Sequence, residues 1–207
     1  YMYRNFPVLH ASRDEWKPEL HYMGKLCFIG IPMGLQYSIT AIGSLVLQTA
    51  VNGLGAMVVA GVTAAQKINM FISCPIESLG QTMAPYAGQN MGAGKIDRIG
   101  KGLKSAVLMG WGVSIICFLI AVLFGKQLTL LFVDAGETEI IAYSYQFLLF
   151  CIGGYCLLTL VNTVRFTIQG MGFSVFAILS GIMEMIARIL AATVVVQMIG
   201  FAGICLA

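Results

Sequence analysis

The sequence predicts an all-α membrane protein: a polytopic helix bundle with five complete transmembrane helices and the start of a sixth. Hydrophobic residues make up 58% of the 207 positions and charged residues only 10%, whereas an average soluble domain carries about 25% charge. The apolar residues form long runs, and a helix needs about 20 residues to cross the hydrocarbon layer. Such runs must satisfy their backbone hydrogen bonds internally, and no alternating barrel pattern is visible.

The first two predicted helices follow a polar N-terminal stretch. Residues 1–25 are mixed in charge and are expected to form a connector, and the apolar run that follows predicts a helix over 26–51. The tight turn NGLG at 52–55 ends it. Small and apolar residues then predict a second helix over 56–86. Pro75 lies inside this helix and is expected to bend it.

The remaining predicted elements alternate with connectors rich in glycine and charge. In order they are a basic loop at 89–104, a helix at 105–124, an acidic loop at 125–139, a helix at 140–164, a glycine-containing loop at 165–174, a helix at 174–198 and the start of a sixth helix at 201. The sequence does not begin with Met and its last residues are apolar. We therefore expect both ends to be cuts through a longer protein, with 26–207 as a transmembrane lobe.

Among the connectors, lysine and arginine are concentrated in alternate ones. Residues 1–25 and 89–104 hold four each, and 165–174 holds one, whereas the connectors of the opposite side hold only Lys126. The positive-inside rule then predicts that residues 1–25, 89–104 and 165–174 face the cytoplasm. The protein is predicted to be a multi-pass protein of the plasma membrane.

Polar residues inside the predicted helices mark a candidate pathway for substrate or ions. Charged groups in a membrane are costly and indicate a bundle interior or a watery cavity. On the first helix the polar residues recur every four positions, which places them on one face. The candidate pathway residues are Gln36, Thr40, Ser44, Lys67, Glu77, Asn162, Glu184 and Arg188.

Each candidate also has a purely structural interpretation, and both stay open. Uncharged polar residues often serve only as interhelical hydrogen-bond partners. Glu184 precedes Arg188 by four residues, the favourable order for a helical salt bridge. The pair either neutralises itself or releases Glu184 to take up a proton. Lys67 either snorkels or faces a cavity, and Glu77 is expected near the cytoplasmic mouth of a vestibule.

Composition and motifs disfavour other classes of function. The net charge of +3 is small and no basic face is present, so nucleic acid is not an expected partner. Both histidines, His10 and His21, lie in the polar N-terminal stretch. No zinc cluster or catalytic triad can then be assembled in the helices. We therefore expect neither an enzyme nor a cofactor or metal site.

Four stretches of the chain resemble the multidrug and toxic compound extrusion (MATE) family. They are IGIPMGLQ at 29–36, NGLGAMVVAGVTAAQKI at 52–68, GQNMGAGKIDRIGKG at 88–102, and IQGMG at 168–172 followed by MEMIARI at 183–189. The third is the most specific, since it is similar to the family's G-x-N-x-G-A-x-x-x-x-R cytoplasmic loop. The resemblance covers essentially the whole chain.

The resemblance implies one lobe of a twelve-helix, two-lobe transporter. The chain matches the connector between lobes, helices seven to eleven and the beginning of helix twelve. The implied activity is outward transport of small amphipathic cationic drugs by alternating access, driven by inward sodium or protons. The implied partners are the lipid bilayer and the N-terminal lobe of the same protein.

One departure from the family pattern concerns ion coupling. The NorM-like branch carries a membrane-embedded Glu in helix seven and an Asp in helix ten, and the matching positions here are Thr40 and Leu158. The absence of both carboxylates resembles the DinF-like branch, whose ion-binding Asp belongs to the first lobe. The main coupling site is then expected outside this chain, with Glu184 as a secondary candidate for protonation.

Two alternatives to drug efflux remain. A lipid-linked saccharide flippase of the same superfamily would use cationic residues in a large cavity, and Lys67 and Arg188 are the candidates here. A non-transporting membrane remnant is the other alternative.

Overall fold

A computed structural model of the chain describes residues 19–205, and every regular element in that range is helical. The helices are α1 (Leu20–Asn52), α2 (Ala56–Gly92), α3 (Ile96–Thr129), α4 (Thr138–Gly153), α5 (Tyr155–Gly170), α6 (Ser174–Leu190), α7 (Val196–Ile199) and α8 (Phe201–Cys205), with a π-helical turn at Ala191–Val195 between α6 and α7. Four stretches are long and apolar enough to cross a membrane, and the bent pair α4–α5, when counted as one span, makes a fifth. The predicted all-α polytopic bundle is confirmed.

The first three helices are longer than the apolar runs that predicted them. Residues 20–25 belong to α1, while residues 1–18 of the predicted connector lie outside the described range. Of the predicted loop 89–104, only residues 93–95 are non-helical. The 37 residues of α2 extend for about 55 Å, beyond the ~30 Å of hydrocarbon. Hydropathy marks only the part of a helix that lies in lipid, so the predicted loop is corrected to helix, turn and helix.

The turn between α2 and α3 is built by the GQNMGAGK motif. Gly94 has φ 68°, a left-handed conformation that glycine adopts without strain. The amide of Lys95 donates to the carbonyl of Asn90 at 2.9 Å. Tyr86 donates its hydroxyl proton to the carbonyl of Arg98 at 3.0 Å, which ties the two helices together beyond the turn.

The fourth predicted helix, 140–164, is broken. Helices α4 and α5 meet at Gly154 with a bend of 48°, and α5 continues to Gly170. Adjacent glycines at 153 and 154 weaken the helix, since each costs about 1 kcal/mol relative to alanine. Only residues 171–173 of the predicted loop 165–174 remain outside a helix, so Arg165 is a helical residue.

The fifth predicted helix, 174–198, is also irregular. A π-helical turn at Ala191–Val195 interrupts it, and the chain reverses at Gly200, whose φ is 59°. Helix α8 then folds back onto the π turn at Gly203. A Cβ on Gly203 would lie 2.8 Å from the carbonyl carbon of Val195, so only glycine permits this approach.

The helices pack in two groups. Helices α2, α3, α4 and α5 pack against one another, and α1 packs along α6. Contacts between α5 and α6 join the groups. Small residues allow the close approaches, as is common in membrane bundles: a Cβ on Gly61 would lie 2.8 Å from that of Tyr143, and one on Gly43 would lie 3.3 Å from the Cα of Met185.

Candidate functional site

A cavity with a mostly apolar wall and several polar side chains lies where the two groups of helices meet. Its volume is about 370 Å³, and it is walled by α1, α2, the break between α4 and α5, α6 and α8. Gly154, the residue at the break, is part of its wall. The hydrogen-bonding side chains around it are Ser44, Gln48, Gln66, Asn69, Tyr155 and Arg188. A concave, mostly apolar site with a few convergent polar groups is the usual form of a ligand pocket.

Arg188 of α6 is tied to α1 at one side of the cavity. Its Nη1 donates to the hydroxyl of Ser44 at 2.6 Å and to the carbonyl of Thr40 at 3.4 Å. The arginine side chain is 25% exposed. Its guanidinium therefore lies at the boundary between the α1–α6 contact and the cavity.

Glu184 is shared by two arginines. Its Oε1 lies 2.8 Å from Nη2 of Arg188 and its Oε2 lies 3.3 Å from Nη1 of Arg165. Arg165 also donates to the side-chain oxygen of Asn162. Two guanidinium groups against one carboxylate leave this network, which we call the Arg–Glu–Arg cluster (Arg165, Glu184, Arg188), with a net charge of +1.

The cluster unites five of the sequence-predicted pathway residues and adds one that the sequence analysis missed. Thr40, Ser44, Asn162, Glu184 and Arg188 are all connected through it. Arg165 was missed because residue 165 was assigned to a loop. Once α5 is known to continue, its position three residues after Asn162 on the same helix face is the signal that identifies it.

Gln36 lies in a different environment. It is buried with 4% exposure, and its side-chain oxygen accepts a hydrogen bond from Nε2 of Gln169 at 2.6 Å. The bond joins α1 to α5 outside the cavity. The close packing of Gly181, whose Cβ would lie 2.9 Å from the Gln36 side chain, restricts the geometry further. Gln36 is therefore a packed interhelical contact.

Replacing Gln36 with leucine is expected to destabilise the protein by about 1–3 kcal/mol, because the Gln169 amide is left buried without its partner. The double variant Gln36→Leu, Gln169→Leu is expected to recover part of this loss, since neither amide then lacks a partner. Thermal unfolding in detergent, with the single and double variants made in the parent protein, measures both changes in stability. If the double variant is destabilised by the sum of the losses in the two single variants, the two amides do not interact.

Lys67 and Glu77 of α2 lie outside the cavity. The Nζ of Lys67 lies 5.8 Å from the centre of the Phe132 ring, in a separate pocket that also contains Asp134 and Glu137. Glu77 is exposed and accepts a hydrogen bond from the Ser73 hydroxyl at 3.2 Å. The structure therefore does not bring these two candidates together with the others.

The polar residues of α2 that do reach the cavity are Gln66 and Asn69. They were not singled out from the sequence, although their spacing of three places them on one helix face. The hydroxyl of Tyr155 donates to the side-chain oxygen of Asn69 at 2.7 Å. Gln66 directly precedes Lys67, and neighbouring helical residues differ by about 100° in direction. The two polar faces of α2 therefore diverge, and only one of them meets the cavity.

Of the two positions that the sequence comparison singled out for ion coupling, one lines the cavity and the other only contacts a lining residue. Leu158 lines the cavity, and the Thr40 carbonyl accepts from Arg188. The residues here offer hydrogen bonds and one guanidinium to a ligand. Within residues 19–205, no group of three His, Cys, Asp or Glu is placed to hold a metal ion.

Comparisons with known proteins place the chain in a family. The family model described as MatE matches residues 32–200. The chain is 31% identical over 120 residues to the "Probable multidrug resistance protein YpnP" of Bacillus subtilis (strain 168), covering 58% of this chain and 26% of that protein. It is 21% identical over 157 residues to the "Probable multidrug resistance protein YoeA" of the same organism, covering 72% and 34%. No solved structure matches with significant similarity.

The chain spans about a quarter to a third of the length of these curated relatives. The family match, in contrast, extends over most of the chain, from Pro32 within α1 to the end of α7. It includes the elements that wall the cavity apart from α8. The chain belongs to the MatE family, the multidrug and toxic compound extrusion transporters.

Proposed function

We propose that this chain is one lobe of a cation-coupled exporter of amphipathic drugs that works by alternating access. Membership of the MatE family and the printed names of the two curated relatives support drug efflux. The observation that carries the proposal is the cavity at the break between α4 and α5, with several polar side chains in a mostly apolar wall. A further lobe of the same protein would face it and complete the pathway.

The cavity is bordered by segments suited to conformational change. Gly154 bends the α4–α5 pair on one side, and α8 packs against the π turn Ala191–Val195 on another. Breaks and π turns occur often at functional sites and act as hinges. Arg188 and Ser44 connect α6 to α1, so movement of this helix pair would change the shape of the cavity.

The proposed chemistry is binding and conformational exchange, with no bond made or broken, so the protein is proposed not to be an enzyme. Coupling requires only that the ion and the drug prefer different conformational states or compete for one binding site. Sodium or a proton is the proposed coupling ion, with its main site outside this chain. Glu184 remains a proposed secondary site of protonation.

The chain is a multi-pass membrane protein by its helices and its family. We propose that it lies in the plasma membrane with residues 1–25, 89–104 and 165–174 on the cytoplasmic side. The distribution of lysine and arginine supports this orientation. Arg165 lies within α5, is only 15% exposed and is ion-paired with Glu184, so the support now comes from the lysines and arginines of the two other segments.

Drug efflux is favoured over a lipid-linked saccharide flippase by the position of Lys67. A flippase would use several cationic residues in one cavity, and Lys67 lies in a separate pocket against Phe132. Arg188 is the single charged residue among those that line the central cavity in the described part of the chain.

The test is efflux of ethidium by the parent protein in drug-sensitive cells. Gradient-dependent efflux is expected, and it should stop either when a protonophore collapses the proton gradient or when external sodium is removed. The condition that stops efflux identifies the coupling ion. A well-expressed protein that exports no ethidium under either gradient would overturn the proposal and favour the flippase or a non-transporting remnant.

The double variant Gly153→Ala, Gly154→Ala is expected to raise stability while lowering transport. Alanine is favoured over glycine in a helix by about 1 kcal/mol per position, and both sites have room: the nearest contacts of an added Cβ are 3.4 Å or more. A more rigid α4–α5 junction should slow efflux several-fold. Thermal unfolding and the initial efflux rate measure the two effects, and unchanged efflux in a stabilised variant would show that the break does not act as a hinge.

A further inference from the structure

The charge of the central cavity points to a class of ligand. Among its lining residues in the range 19–205, Arg188 is charged and none is Asp or Glu. The one carboxylate nearby, Glu184, is already shared with Arg165. An organic cation bound here would meet a net positive charge with no counter-ion of its own.

Arg188 retains hydrogen-bonding capacity. A guanidinium has five N–H donors, and its partners within the described residues are three oxygens, those of Ser44, Thr40 and Glu184. Donors therefore remain for a ligand at its 25% exposed surface. The planar guanidinium matches the geometry of a carboxylate, which it can bind with two parallel hydrogen bonds.

The rest of the cavity fits the body of an amphipathic molecule. Its volume of about 370 Å³ lies at the lower end of the range for drug-sized pockets. Phe147 and Leu158 contribute apolar surface, while Gln66 and Asn69 add amides on the wall formed by α2. The net charge of +1 on the Arg–Glu–Arg cluster matches a single carboxylate better than a doubly charged phosphate.

We propose that this cavity binds the carboxylate of an amphipathic substrate, with Arg188 as the residue that receives it. The proposal rests on the proposed function, because it names the substrate class of the same site. It also differs from the purely cationic substrates that the family resemblance implies. A zwitterionic drug would fit both the carboxylate site and the cationic substrate class. Its carboxylate would lie on Arg188 and its cationic group would lie towards the facing lobe.

The test compares two dyes that differ in one group. Rhodamine 110 carries a free carboxylate, and rhodamine 123 is its methyl ester with the same fluorescent body. Fluorescence polarisation of the purified full-length parent protein, without any ion gradient, measures the affinity for each. The parent protein is expected to bind rhodamine 110 about tenfold more tightly, as a charge-assisted hydrogen bond warrants.

Three variants separate an anion site from a structural arginine. Arg188→Gln is expected to abolish the preference while binding the ester within about twofold of the parent, because only the carboxylate contact is lost. It should fold, since Glu184 keeps its ion pair with Arg165. Glu184→Gln is expected to increase the preference at least about threefold, because the cluster then carries +2. The control, Arg98→Gln on the exposed surface of α3, should behave like the parent.

The variants at positions 188 and 184 are expected to change the preference for rhodamine 110 in opposite directions, which makes the outcome decisive. Equal affinities of the parent for the two dyes would overturn the proposal, and so would an Arg188→Gln variant that still binds both dyes but with equally weakened affinity. If Arg188→Gln binds neither dye, the Glu184→Gln variant decides, and a preference that does not increase there overturns it. Ethidium has no carboxylate, so its efflux reports on the proposed function alone. Efflux without the dye preference overturns only the carboxylate site, and the preference without efflux overturns only the exporter.

Discussion

Replacing Gly170 with alanine is expected to destabilise the protein by about 3 kcal/mol or more, the upper range for inserting a methyl group into a packed contact. Gly170 ends α5 and lies directly against the backbone of α2. A Cβ at this position would lie 2.8 Å from both the Cα and the carbonyl carbon of Ala84 and closer still to its oxygen. Backbone atoms cannot move aside by rotating a side chain, so the two helices would have to separate.

The matched control is Gly112→Ala. Gly112 lies inside α3, and an added Cβ would meet nothing within 4 Å. This change should leave stability unaltered or raise it by up to about 1 kcal/mol, through the better helix propensity of alanine. Thermal unfolding in detergent, followed by the fraction of monodisperse protein on size exclusion, compares the two. Similar unfolding temperatures for both variants would mean that the contact between α5 and α2 does not limit stability.

Replacing Glu184 with alanine is expected to cost about 2–3 kcal/mol of stability, because Arg165 and Arg188 lose their shared counter-ion. The loss of one partner from a fully buried ion pair costs about 3–5 kcal/mol. The value is lower here, since the three side chains are 15–30% exposed. Glu184→Gln, which keeps hydrogen-bonding atoms in place, should cost about half as much.

A second change tests whether charge is the cause. Adding Arg165→Gln to Glu184→Ala removes one of the two unpaired cations, so the double variant should be more stable than Glu184→Ala alone. Asp97→Ala is the control, since Asp97 is an exposed carboxylate in the first turn of α3. Its removal should cost less than about 1 kcal/mol. Strictly additive losses from Glu184→Ala and Arg165→Gln would contradict the charge explanation.

Hydropathy was sufficient to predict which segments form helices long and apolar enough to cross a membrane, because transfer into hydrocarbon dominates that choice. It could not predict where the helices end in water. The extension of α2 to Gly92 and the start of α3 at Ile96 depend on local contacts, such as the hydrogen bond from Tyr86 to the Arg98 carbonyl. Apolar content is low in these residues, so a hydropathy window assigns them to a loop.

The candidate site was predicted in part for a related reason. Periodicity placed Thr40, Ser44, Glu184 and Arg188 on helix faces, and these residues do meet. Periodicity alone does not say which face of α2 points inward. Lys67 therefore entered the prediction, although its neighbour Gln66 is the residue that reaches the cavity. The coupling ion and the DinF-like branch remain predictions.

The π turn at Ala191–Val195 also determines the direction in which the side chains of α7 and α8 point. It accommodates one residue more than an α-helical turn would, and one residue corresponds to about 100° of rotation. Helix α7 and the chain reversal at Gly200 are therefore oriented by that extra residue, and with them Ile204 and Cys205 of the cavity wall. Deleting one residue from this turn would leave a regular helix but would turn α8 towards a different neighbour. The number of residues in the π turn therefore determines which side chains of α8 line the cavity, in addition to the chemistry of those side chains.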